Sequence, residues 1–126
     1  MNYTISIYRD EVRTANPTLD FLEEDHRIPA FSDTQRATLQ RRLAHYKYTV
    51  VSLSDTLTEY ERREGNWSTS AYLSNNTLTF SCHAGNQDAL FEVLMTASEL
   101  CDGGDLCILN LQEGTWEANG ETYPIE

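Results

Sequence analysis

Apolar and polar residues alternate with a period of two near both ends and through the middle of this chain. Two stretches between them carry a helical period instead. Residues 3–8, YTISIY, place Tyr3, Ile5 and Ile7 on one side, the pattern of a half-buried strand. Residues 9–31 have no clean period. Pro17, Pro29 and the acid-rich LEEDH run predict a long loop with one short helical turn around Leu19–Glu24, pinned to the body by Phe21, Leu22 and Phe31. Ser32 then opens SDTQ, a capping box in which the Ser32 oxygen accepts from the Gln35 amide while Gln35 reaches back. The helix that follows runs to about Lys47 with Leu39, Leu43 and Tyr46 inward, and with Arg36, Arg41, Arg42 and Lys47 on flanking or outer positions.

Strands are predicted next at 48–53, 56–63, 67–74 and 77–82, with turns at Glu64-Gly65-Asn66 and Asn75-Asn76. Trp67, Thr69, Ala71 and Leu73 share one side, as do Leu78, Phe80 and Cys82. Ser and Thr at the alternate positions leave the other face wet, so this is an antiparallel meander. Asn86 can cap a second helix that stops at Gly103-Gly104, with Asp88 in the first turn where the helix dipole favours a carboxylate. At about 100° per residue, Leu90, Val93, Leu94, Ala97, Leu100 and Cys101 form its inner side. Asp88, Glu92, Glu99 and Asp102 fall on the other, with Phe91 and Met95 at the edge of that acidic side. LCILNL (106–111) reads as a buried strand. Asn119-Gly120, flanked by Trp116 and Tyr123, reads as a hairpin expected to display Glu117 and Glu121 close together.

These elements predict a single α+β domain over residues 1–126. It is a mostly antiparallel, twisted sheet of about five to six strands with two main helices on one face, in the order strand–helix–meander–helix–strand. The length supports a core that is stable without metal or disulfide. No basic n-region precedes an apolar run near the start, and the longest apolar run is far short of a membrane span, so the expected address is cytoplasmic. Cys82, Cys101 and Cys107 cannot all pair and form no C-x-x-C, which predicts buried small hydrophobes in a reducing compartment.

Charge changes the picture most. The net charge is −11; residues 1–63 hold all nine Lys/Arg and ten Asp/Glu, whereas residues 64–126 hold ten Asp/Glu and no Lys or Arg. Solubility alone can explain such a balance, but an acidic face can also steer a basic partner inward. Direct nucleic-acid binding is disfavoured, because phosphate contact needs a cationic surface. Chemistry finds little footing. Cys82 and His83 are neighbours on a strand, so their side chains diverge. No H-x-x-x-H or C-x-x-C marks a metal site, the D-G-G-D of 102–105 is too short for a calcium loop, and no glycine-rich phosphate cradle occurs. The expectation is a protein without catalytic residues, cofactor or metal.

YTISIYR near the start, the central meander, the helix DALFEVLMTASELC and the following LCILNLQEGTW together resemble small bacterial immunity proteins of polymorphic toxin systems. In that pattern an N-terminal strand precedes a long helix, and an alanine-rich helix near the C-terminus runs into a short strand that ends in an Asp-Pro-Gln-type turn. Asn110-Leu111-Gln112 replaces that turn here. The resemblance implies a stoichiometric inhibitor that occupies a toxin, and immunity proteins to nucleases are commonly acidic. The resulting expectation is a binding protein that neutralises a basic, nuclease-like toxin domain through Asp88, Phe91, Glu92, Met95, Glu99, Asp102, Trp116, Glu117 and Glu121. Its competitor is an acidic homodimeric chaperone or adaptor for a secreted protein, which needs an apolar groove or dimer seam.

Overall fold

A computed structural model describes residues 2–16 and 18–125, the side chain of Asp25 excepted. Pro17 and Glu126, used above as a loop signal and as one of the ten carboxylates, lie outside the described residues. Eight strands form one sheet: β1 (Asn2–Arg9), β2 (Thr49–Leu53), β3 (Thr58–Glu64), β4 (Trp67–Leu73), β5 (Leu78–His83), β6 (Leu106–Asn110), β7 (Thr115–Ala118) and β8 (Glu121–Pro124). Three α-helices accompany it, α1 (Asp10–Ala15), α2 (Asp33–His45) and α3 (Gln87–Leu100), with short 3-10 segments at Leu19–Glu23 and Asp25–Arg27. The class is α+β. The sheet is wider than the five to six strands expected, because β1 accepts a strand on both edges and the C-terminal hairpin prolongs the row.

The strand order is β2-β3-β4-β5-β1-β6-β7-β8, and every pairing is antiparallel. Because β5 and β6 both run against β1, they are parallel to each other. The chain therefore needs a crossover between them, and α3 is that crossover. Among the described residues, no helix is long and apolar enough to cross a membrane.

Alternation along β1 and β6 distributes side chains between two cores. Ile5, Ile7 and Ile108 join Leu39 and Leu43 of α2, Ala89, Val93, Ala97 and Leu100 of α3, and the inward residues of the meander. Tyr8, Cys107, Leu109, Trp116 and Ala118 point the other way and pack with Val12 and Phe21. In this second core Phe21 stacks on Trp116 at 5.9 Å between ring centroids, with Tyr8 edge-on to both. The segment read as a loop therefore contains α1 and its own buried face. Arg13 lies 4.5 Å from the centre of the Tyr123 ring and pairs with Asp10, tying α1 to β8. The sequence hid α1 because six residues offer only one apolar anchor, Val12.

Local signals explain the termini. The Ser32/Gln35 capping box is formed in both directions, at 3.0 and 2.9 Å. Asn86 caps α3 by accepting from the Ala89 amide at 3.0 Å. Asn119 and Gly120 both take positive φ, 54° and 78°, as a two-residue hairpin turn that follows the right-handed strand twist requires. Past the end of β6, the Gln112 side chain accepts from the Thr4 amide at 2.9 Å and donates to the Thr4 carbonyl at 2.7 Å.

Because Phe21 is fully buried between Tyr8 and Trp116, Phe21→Ala should cost about 3–5 kcal/mol in denaturant unfolding. A residue on a detachable loop would change stability by less than about 0.5 kcal/mol.

Candidate functional site

α3 carries two stripes. Ala89, Val93, Thr96, Ala97 and Leu100 are buried against the sheet. Phe91, Leu94, Met95 and Ser98 stand at helical spacing on an adjacent side, and Glu99 extends that stripe. Facing them are side chains from the same face of the sheet: Tyr3 of β1, Asn110 of β6, Thr115 and Glu117 of β7 and Thr122 of β8, with Glu113 from the intervening turn. The result is an open groove of about 700 Å³ whose floor is apolar and whose rim holds Glu99, Glu113 and Glu117. Phe91 and Met95 are 67% and 44% exposed there, so they are not covered by the C-terminal segment. Asn110 shapes the end of the groove: it donates to the Tyr3 hydroxyl at 2.7 Å and accepts from the Glu113 amide at 3.2 Å. A neighbouring depression of about 510 Å³, between α3 and the β7–β8 turn, continues past Ser98 to Asp102 and shares Glu117.

The nine residues expected to meet a partner separate. Phe91, Met95, Glu99 and Glu117 line the groove together. Asp102 lies further along and is held in both oxygens by Arg42, at 3.0 and 3.3 Å. That guanidinium keeps the Asp102 carboxyl below the usual carboxylate range. Asp88 is exposed in the first turn of α3, away from the groove.

The other three are corrections. Glu92 is buried: it pairs with Arg62, accepts from Thr96 Oγ1 at 2.6 Å, and accepts from the Tyr48 hydroxyl at 3.3 Å. Helical periodicity set it outward because its partner comes from β3, far away in sequence. Tyr48 in turn accepts from Thr69 at 2.8 Å, and burial first, then the Glu92 charge, raises its phenol well above its ordinary value. Trp116 is 5% exposed and belongs to the second core, so it is no surface anchor. Glu121 and Glu117 occupy opposite faces of the hairpin, since the turn pairs Ala118 with Glu121 and Glu117 with Thr122. Glu121 accepts from the Tyr123 hydroxyl at 2.9 Å on the α1 side.

Sequence reasoning missed Tyr3, Leu94, Asn110, Glu113, Thr115 and Thr122. The Asn119-Gly120 register alone predicts Thr122 beside Glu117; Glu113 has no such signal, because it sits in a turn. Elsewhere, a depression of about 530 Å³ at the ends of β4 and β5 is lined largely by Ser68, Ser70, Ser81 and Asn side chains, without a carboxylate, Lys or Arg.

The cysteines are free and buried. Burial raises all three thiols, Cys107 to about 12, which keeps them neutral. His83 is exposed, and its Nδ1 accepts from the Gly85 amide at 3.1 Å, away from Cys82.

Two measurements check this account. A thiol reagent at pH 8 should label the native chain negligibly and count three cysteines after unfolding. Glu92→Leu should cost about 3 kcal/mol by leaving the half-buried Arg62 with only Glu64, at 3.4 Å, as a partner, and Glu92→Leu/Arg62→Met should recover most of that loss.

Set against known proteins, the chain matches no family model, no curated sequence and no solved structure, so its function has to be argued from its own surfaces.

Proposed function

We propose that this chain is a non-enzymatic binding protein of the immunity type, which neutralises a basic, nuclease-like toxin domain by holding it along the α3–hairpin groove. The observation that carries the reading is the exposure of Phe91 and Met95 between Glu99, Glu113 and Glu117, with no Lys or Arg among the groove's lining residues. Large apolar side chains in a shallow groove gain by excluding water, and three carboxylates at the rim select a cationic neighbour and repel an acidic one. Glu92, Trp116 and Glu121 have no part in this surface. The acidic surface is accordingly a narrow rim around apolar anchors, not a broad field.

Charge and apolar contact divide the work. The carboxylates accelerate encounter, while Phe91 and Met95 slow dissociation. An inhibitor of this kind needs no reacting group. In a bacterial cytoplasm its task would be to occupy the toxin's phosphate-binding surface before nucleic acid does.

The test begins with the neighbouring reading frame, which on this reading encodes a toxin with a basic C-terminal domain, and measures the binding of that domain to this chain. Association should slow about tenfold between about 20 and 200 mM salt. Phe91→Ala should weaken binding by about 2 kcal/mol without changing the melting temperature, because that side chain is two-thirds exposed. A salt-independent association rate together with an unchanged affinity for Phe91→Ala would remove the groove from the account.

A further inference from the structure

The two edges of the sheet are unlike. β8 is four residues long, carries Glu121 and ends in Pro124, which has no N–H to offer. β2, TVVSL, contains no charge and no proline, and all five of its residues are exposed. Val50, Val51 and Leu53 are 55%, 57% and 75% exposed, and among the described residues no strand pairs with the outer edge of β2. A neutral, β-branched edge of this kind is a template for further pairing, and proteins that stay single usually blunt it. A bulge that leaves Val51 as the extra residue opposite Tyr60 and Glu59 is a protective feature of this edge.

We infer that β2 is an interface between two copies of this chain, paired antiparallel about a two-fold axis. Charge distribution selects that occupant. Residues 33–64, which build α2, β2 and β3, hold six Lys/Arg and five Asp/Glu, a net of +1, against −12 for the rest of the chain. Two copies can meet at β2 with their acidic portions far apart, whereas an approach through α3 or the C-terminal hairpin sets like charges together. Two-fold pairing closes on itself, and the Pro-blunted β8 edge stops β2 from propagating an open row of molecules. The groove beside α3 remains free in this dimer, so the inference stands independently of the function proposed for it.

Five paired residues bury less than the roughly 1,200 Å² of a tight complex, so the dimer is a micromolar one. Sedimentation velocity from about 5 to 500 µM should show the 14.4 kDa chain approaching twice its mass. Val51→Lys and, separately, Leu53→Lys should hold it monomeric with an unchanged circular dichroism melt, because both residues are exposed. Phe91→Glu should leave association intact. A wild-type chain that is monomeric throughout overturns the inference. So does dimerisation that survives both lysine substitutions, or that Phe91→Glu abolishes.

Discussion

One buried carboxylate sets the rotation of α3 about its own axis. Glu92 is out of water, so it has to be paired, and its partners come from three directions: Arg62 on β3, Thr96 one turn along its own helix, and Tyr48 at the entry to β2. Turning the helix either way would strip a buried charge of its hydrogen bonds, at a cost of about 3–5 kcal/mol. With Glu92 fixed against β3, Phe91 and Met95 are carried round the helix by roughly 60–100° and come to face the C-terminal hairpin. A polar anchor inside the core thus decides which apolar residues are left outside it.

The sheet is built unevenly around β1. Where β1 and β6 pair, both faces are covered, by α3 on one side and by Val12 and Phe21 on the other. The meander from β3 to β5 turns Ser68, Ser70, Tyr72, Thr79 and Ser81 away from the core. This asymmetry separates the two surfaces of interest. The apolar residues of the groove stand over the part of the sheet that carries the second core on its other face. Val50, Val51 and Leu53 stand at the far edge of the singly covered part, beside the segment of the chain with almost no net charge.

Much of this was legible from local pattern. The capping box at Ser32, the cap at Asn86, the alternating rows of β4 and β5 and the Asn119-Gly120 turn are each specified within a few residues, and they form where the pattern puts them. What sequence could not supply was long-range pairing. Glu92 reads as outward until Arg62 arrives from thirty residues away. Trp116 reads as an anchor until Phe21, ninety-five positions earlier in the chain, stacks on it. α1 has too few apolar positions to show a period at all. The groove was half visible: its α3 side follows from helical spacing, whereas the opposite wall depends on which face of the hairpin Glu117 takes, and that was misjudged despite a turn that fixes it.

The Gln112 amide gives the region one more property. Hydrogen bonds to both the Thr4 N–H and the Thr4 carbonyl are what a neighbouring backbone would normally provide. With a side chain standing in for a peptide unit, ladder bonding to β1 persists while the main chain is already bending away. The strand can therefore exit early without orphaning its neighbour's polar groups. The residues released by that early exit include Glu113, which becomes a fixed fitting on the rim and not the tip of a wandering loop.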